Sequence, residues 1–348
     1  MRLIEKVWFK KHRARYWLVP LLLPLTAVFY LLSLARRVAF SVGLLKSMQL
    51  SKPVIVVGNI GIGGNGKTPV VIHLVELAKK MGLKPGVISR GYGGKAEFYP
   101  YLLDKNSSSN QAGDEPVLIY QRCHVPVVVG ADRVANGQML IAQGCDIIIS
   151  DDGLQHYRLQ RDLEIIVIDG KRLFGNGLLL PAGPLREGQW RLQRADLLIY
   201  NGVRPAEPAT TNNNSLLMIL DASELIQLNT GKKIPLSNFL TQHQGVNAIA
   251  GIGEPQRFFD TLQTLGFNLV NQQGFVDHKD FIPDDFNQFK TDLPLLMTEK
   301  DAVKCQTFSA DNWWYLPVEA NFSEQNEQEL TRCIEKCRLE FIPATITK

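Results

Sequence analysis

Val54-Ile55-Val56-Val57-Gly58-Asn59-Ile60-Gly61-Ile62-Gly63-Gly64-Asn65-Gly66-Lys67-Thr68 runs from a continuous apolar segment straight into a glycine-rich octet. The octet reads glycine, four residues, then Gly-Lys-Thr, which is the spacing of a phosphate-binding loop. Its glycines let backbone N–H groups curl around the β- and γ-phosphates of a nucleoside triphosphate. Lys67 adds a point charge, and the Thr68 hydroxyl can ligate Mg²⁺. Gly61, Ile62, Gly63, Gly64, Asn65, Gly66, Lys67 and Thr68 are therefore the candidate nucleotide-binding residues. A glycine-rich turn can be only a turn, but here a strand precedes it and a helix is predicted over 69–81, stopped by Gly82.

Outward from this loop, apolar runs at 54–57, 86–89, 125–129, 146–150, 163–168 and 197–200 alternate with helical patterns such as 131–143. Continuously apolar strands are buried on both faces, which implies a mainly parallel, doubly wound α/β sheet of the P-loop NTPase type. Ligands then gather at the carboxyl ends of the strands, where the phosphate loop, Asp151-Asp152 and the Asp169-Gly170 turn emerge. Near Arg204 the pattern breaks into Pro205, Pro208 and a polar tract at 210–215, a linker or exposed loop. A smaller α/β domain is expected beyond it, with strands at 246–252, 293–298 and 313–316, a helix at 255–265 and a loop at 275–283. A terminal helix at 323–341 has acidic residues early and basic residues late, matching the helix dipole. The expected organisation is an anchor over 1–50, a kinase domain over 51–205, the smaller domain over 206–318, and a terminal helical segment over 319–348 that can dock back on the kinase domain.

The 348 residues carry a formal net charge of +4, unevenly placed. Residues 1–52 hold ten Lys or Arg against the single acid Glu5, a local +9, and the other 296 residues carry −5. Within this basic zone, 17–35 is a run of 19 uncharged, mostly apolar residues, which nucleic-acid arms do not contain. An anionic membrane surface is the expected partner instead, with Trp8, Phe9, Tyr16, Trp17, Phe29 and Tyr30 suited to the interface. A cleavable leader is not expected, because Arg36-Arg37 follow Ala35 directly with no small-residue cleavage site. Cations flank the run on both sides, which favours a helix lying in one leaflet; a true span and a buried core helix are the alternatives. The five cysteines lack paired spacing and suit reduced thiols, with Cys333 and Cys337 packing on one helical face.

Asp151 and Asp152 follow the apolar strand 146–150, so a carboxylate at that strand end faces the phosphate loop, as a Walker-B aspartate must to help hold Mg²⁺. With Thr68 they form the candidate metal site. Three functional classes share such a loop. A signalling GTPase needs an Asn/Thr-Lys-x-Asp guanine reader, and Thr298-Glu299-Lys300-Asp301 has its lysine one place late. A membrane-associated ATPase of the partitioning type needs a signature lysine where Ile62 stands. A small-molecule or lipid kinase also needs a group to take the proton from an acceptor hydroxyl, and Gly113-Asp114-Glu115-Pro116 and Asp277-His278 supply the candidates. A carboxylate hydrogen-bonded to an imidazole makes an effective proton acceptor.

Gly58-Asn59-Ile60 with Gly63 to Pro69, Ser89-Arg90-Gly91-Tyr92-Gly93, Gly113 to Pro116, Asp151-Asp152-Gly153-Leu154-Gln155-His156, Pro181-Ala182-Gly183-Pro184-Leu185-Arg186-Glu187, Asp277-His278 and Thr298 to Lys304 occur in that order. Together they resemble the tetraacyldisaccharide 4′-kinase family of Gram-negative bacteria, over the chain from the basic anchor to about residue 304. The resemblance implies an enzyme, peripheral and monotopic on the cytoplasmic face of the inner membrane. It would move the γ-phosphate of ATP to the 4′-hydroxyl of a tetraacylated disaccharide 1-phosphate, giving lipid IVA in lipid A biosynthesis. Carried over by position, Lys67 and Thr68 serve the phosphates and Mg²⁺, Asp151 and Asp152 the metal, and Asp114 with His278 the proton abstraction. Gln155, Arg186 and Glu187 would organise substrate or nucleotide, and the turn at 298–301 would lie near the cleft between domains.

Overall fold

The computed structural model describes residues 3–205, 214–289 and 292–342. The chain opens with α1 (Leu3–Phe9) and α2 (Arg15–Ser41), the latter a continuous 27-residue helix through Pro20 and Pro24. Leu21, Leu25 and Leu32 are among the apolar side chains it leaves exposed, and Thr26 alone in this helix is buried. By length and composition α2 is apolar enough to cross a membrane, with a mean hydropathy of 2.2 over its best window. An unpacked apolar helix of this kind is compatible with membrane association.

The body begins with β1 (Val54–Gly58), all five residues buried, and passes through the glycine-rich loop into α3 (Lys67–Lys80). Gly66 caps that helix with φ of +92°, and a Cβ there would sit 2.5 Å from Asn201 Nδ2, so only glycine fits the turn. Next come β2 (Pro85–Ser89), β3 (Tyr101–Leu102), α4 (Ser109–Ala112), α5 (Asp114–Cys123), β4 (Val127–Val129) and α6 (Arg133–Ala142). Strands β5 (Ile147–Asp151), β6 (Leu163–Asp169), β7 (Leu197–Asn201) and β8 (Asn214–Asp221) follow. With β15 (Glu319–Phe322) they build a nine-stranded sheet in the order β15-β8-β7-β6-β1-β5-β2-β4-β3. Pairing is parallel from β8 to β4 and antiparallel only at the two edges, β15 on β8 and β3 on β4. Strand β1 lies between β5 and β6, so chain order reverses across it and opens a crevice above its carboxyl end.

A six-stranded sheet forms the smaller unit. Its strands are β9 (Glu224–Gln227), β10 (Lys233–Pro235), β11 (Val246–Ala250), β12 (Leu269–Gly274), β13 (Leu295–Thr298) and β14 (Trp313–Leu316). The order is β10-β9-β14-β13-β11-β12. It carries α7 (Leu236–Gln242), α8 (Pro255–Thr264) and α9 (Glu299–Cys305), and Phe239, Phe259, Leu262 and Trp314 fill one of its two cores.

One stretch attaches differently from the sequence-based division, and the terminal helix docks on the large sheet. Residues 214–221 fall in the range expected for the smaller domain, yet they extend the large sheet as β8, because the alternating Leu216 and Met218 side chains bury against its core. The helix expected over 323–341 forms as α10 (Glu324–Leu339), and Leu330, Ile334 and Cys337 insert into the same core. The tract at 210–213 lies outside the described residues. All five cysteines are free thiols.

Candidate active site

A cleft of ≈ 830 Å³ lies above the carboxyl ends of β1, β2 and β5, and three parts of the chain wall it. The large sheet contributes the glycine-rich loop from Gly63 to Thr68, with Asp151, Asp152, Gln155, Arg186 and Glu187. The smaller unit contributes Arg257, Asp277, His278 and Lys300, and α2 contributes Phe29, Arg36 and Arg37. Gly61 and Ile62 sit at the base of the loop, beside a separate small cavity lined also by Phe9 and Arg172. Asp114 is not on the cleft wall; it stands one hydrogen bond behind it.

The two adjacent aspartates differ in what occupies them. Asp152, with φ of +47°, accepts from Arg186 Nη1 at 3.0 and 3.2 Å and stands 3.5 Å from Lys67 Nζ. Burial pushes its carboxyl upward, but Lys67 and Arg186 more than offset this and hold it below the ordinary carboxylate value. Asp151 ends β5 and is buried; its carboxylate accepts a long 3.4 Å bond from Ser89 Oγ on Oδ2, while Oδ1 has no partner among the described residues. Burial, with Glu115 and Asp152 nearby, pushes its pKa up to about 7. A buried carboxylate oxygen with no donor beside a Thr68-bearing phosphate loop is what a hard divalent cation needs, so this donor set fits Mg²⁺.

On the opposite wall, His278 Nδ1 lies 3.2 Å from Asp114 Oδ2. Lys304 Nζ approaches the same oxygen at 3.2 Å and also faces Asp301 Oδ1 at 3.6 Å. Asp301 is anchored in turn by Gly251 N–H at 2.9 Å and Thr298 Oγ1 at 2.6 Å. Burial opposes ionisation of Asp114, but the His278 hydrogen bond and the charges of Lys304 and Lys300 together keep its pKa below the usual range. Lys300 Nζ lies 3.3 Å from Asp277 Oδ1, 3.4 Å from Glu115 Oε1 and 3.5 Å from His278 Nε2. The ring of Tyr92 packs against the imidazole at a tilt of 56°, with centroids 4.9 Å apart.

Gln155 meets both Arg186 and Glu187, but Glu187 is largely committed to the protein. It is 3% exposed, accepts from Tyr157 OH at 2.6 Å and Gln155 Nε2 at 2.9 Å, and pairs with Arg191 at 3.3 Å. Sequence reading missed Lys300 and Lys304 as partners of the Asp114–His278 pair. Their spacing of four on one short helix, inside a motif already singled out, was the available signal. It also missed Arg257, which nothing but tertiary contact brings here, while Glu115 and Tyr92 lay in motifs already singled out without their contacts to Lys300 and His278 being legible.

A phosphate loop at the switch point of a parallel sheet, a carboxylate at the neighbouring strand end and a carboxylate–imidazole pair across the cleft define a P-loop phosphotransferase. A family model described as tetraacyldisaccharide-1-P 4′-kinase matches residues 18–336. A tetraacyldisaccharide 4′-kinase of Colwellia psychrerythraea is 64% identical over 328 residues, spanning 94% of this chain and 96% of its own. One from Aliivibrio salmonicida is 48% identical over 340 residues, covering 97% and 98%. A crystal structure titled as the "apo" form of LpxK from Aquifex aeolicus in complex with ATP superposes with a TM-score of 0.78 at 30% identity, covering 92% of this chain and 99% of that one. The chain belongs to the tetraacyldisaccharide-1-P 4′-kinase family and is an enzyme of the phosphotransferase class. These likenesses give no support to the partitioning-type ATPase reading.

Proposed function

We propose that this enzyme transfers the γ-phosphate of ATP to the 4′-hydroxyl of a tetraacyldisaccharide 1-phosphate, working as a monotopic protein on the cytoplasmic face of the inner membrane. The observation that carries the reading is the shared cleft: the phosphate loop, His278 with Asp114 behind it, and apolar helix α2 meet at one space. A substrate with acyl chains in the bilayer and a sugar alcohol at the surface can reach all three, and an anchored enzyme replaces a three-dimensional search by a local one.

The backbone N–H groups of Gly63 to Thr68 and Lys67 hold the phosphates, aided by the N-terminus of α3. Asp151 and Thr68 would hold Mg²⁺, which when bound neutralises charge developing on the transferring phosphoryl group. Asp152 serves beside them by keeping Lys67 and Arg186 in place. His278, on the wall, takes the proton of the acceptor hydroxyl, and Asp114 behind it orients the imidazole and stabilises its charged form. Lys304 keeps Asp114 ionised, and Asp301 holds Lys304 in place for that role. Gln155, Arg186 and Glu187 shape the floor on which the sugar headgroup rests.

The test is a transfer assay with labelled ATP offered tetraacyldisaccharide 1-phosphate, a water-soluble disaccharide, or no acceptor. Label moving to the lipid alone is expected. Phosphate release that ignores the acceptor would replace this reading with an ATPase.

A further inference from the structure

The loop joining β6 to β7 touches the glycine-rich loop on one side and the N-terminal helices on the other. Arg172, 15% exposed in its side chain, donates from Nη2 to the carbonyl oxygen of Gly64 at 3.1 Å and from Nε to Asp169 Oδ2 at 3.2 Å. Its guanidinium lies over the ring of Phe9 of α1, 5.1 Å from the centroid. The same loop is pinned to α1 by Trp8 Nε1 donating to Pro181 O at 3.1 Å, and to the phosphate loop by Ile62 N–H donating to Pro184 O at 2.9 Å. At Gly175, where φ is +59°, an added Cβ would sit 2.7 Å from Trp8 O, so α1 is packed as closely as the backbone permits.

We propose that Arg172 is a positioning residue for the phosphate loop and that Phe9 of the membrane-side helix α1 holds it in that role. The Gly64 carbonyl belongs to the loop's most conformationally free stretch, with Gly63 at φ of +102° on one side and Gly66 at +92° further on. A charged planar donor fixed by Asp169 on one edge and an aromatic face on the other removes freedom that nucleotide binding would otherwise have to remove. The element preceding the membrane helix thereby acts on the nucleotide site from outside the cleft wall.

This inference rests on reading the cleft as a nucleotide site. It is tested on the full chain in detergent micelles by titrating a fluorescent ATP analogue and by transfer kinetics at saturating lipid. Loss of one charge-assisted hydrogen bond predicts that Arg172→Ala raises the dissociation constant and the KM for ATP about tenfold, with kcat within about threefold of the parent. Arg172→Lys should fall between the two, since a point charge cannot serve both acceptors. Phe9→Ala should raise both constants about threefold, the scale of an exposed cation–π contact. The double variant should be no worse than Arg172→Ala alone, because Phe9 acts through Arg172. A dissociation constant for Arg172→Ala within twofold of the parent, or losses that multiply in the double variant, would overturn the proposal. If Arg172→Ala does not fold, Phe9→Ala decides: an unchanged ATP constant overturns the idea, a raised one supports it. Failure of lipid transfer in the parent protein, with these binding shifts intact, would count against the kinase reading and leave this one standing.

Discussion

His278 and Asp114 meet across the boundary between the two sheets, Nδ1 to Oδ2 at 3.2 Å, although 164 positions separate them in sequence. One partner starts α5 beneath the large sheet and the other sits at φ of +59° in the loop after β12. The pair therefore exists only while the smaller unit is seated on the larger one. Asp114→Ala and His278→Ala should each lower kcat by about 10²-fold or more, the scale of losing a general base. The double variant should be no slower than the poorer single one, since the two work as a unit. Steady-state kinetics with ATP and lipid acceptor check this; fully additive losses would mean that they act separately.

Lys67→Ala should abolish transfer and leave the chain folded, because its one ion pair among the described residues, to Asp152 at 3.5 Å, is backed by the existing Arg186–Asp152 pair at 3.0 Å. Near-parental turnover in the labelled-ATP assay would refute the role of the loop.

Asp151 should show the opposite balance. Its pKa is pushed up to about 7, so the folded state loses stability as pH rises from the unfolded value of 3.8 to that point, and an amide of the same shape removes the cost at neutral pH. Asp151→Asn is expected to raise the midpoint in chelator by about 2 °C or more while lowering transfer by at least about 10²-fold. Differential scanning calorimetry in EDTA, beside the activity assay, reads both; a lowered midpoint would contradict the assignment.

Acid should weaken the joint between the two sheets. Asp114, Asp152 and Asp169 are all held below the ordinary value: burial acts first and raises each, and it is outweighed by His278 with Lys304, by Lys67 with Arg186, and by Arg172 with Arg257. A depressed folded-state pKa gives stability that is present above the unfolded value of 3.8 and is lost as pH falls through the folded values. Denaturant unfolding from pH 6 downward should thus show little change until about pH 4 and a fall below it. Arg257 Nη1 donates to Asp169 Oδ2 at 2.8 Å from the smaller unit, so Arg257→Ala should flatten that fall.

Membrane attachment is expected to depend on the outward face of α2. Leu21, Leu25 and Leu32 are 66%, 58% and 67% exposed and make no part of the core. Replacing all three with Asp costs about 2 kcal/mol or more per residue in a hydrocarbon environment. The full-length variant should leave the pellet when sedimented with anionic vesicles, while ATP binding persists. Unchanged co-sedimentation would locate the binding surface elsewhere.

The sequence made the phosphate loop, the strand-end aspartates and the parallel sheet legible because each is local: a run of apolar residues, then a turn chemistry that only glycine satisfies. Residues 214–221 were not legible as part of the large sheet, since β8 follows a polar tract and its partner β7 is found only by topology. The division of labour between Asp151 and Asp152 was equally hidden. Adjacent residues point apart, and which one Arg186 and Lys67 occupy is decided 34 and 85 positions away in the chain. The motif at 298–304 was visible as a pattern, but its meaning, two lysines facing the Asp114–His278 pair, needed the docking of α9 against α5.

The most direct test is a structure of the full chain with a non-hydrolysable ATP analogue and tetraacyldisaccharide 1-phosphate bound together. The terminal phosphate is expected against the Gly63 to Thr68 loop and Lys67, and the 4′-hydroxyl within about 3.2 Å of His278. A nucleotide seated elsewhere, or a sugar hydroxyl bound far from both groups, would contradict it.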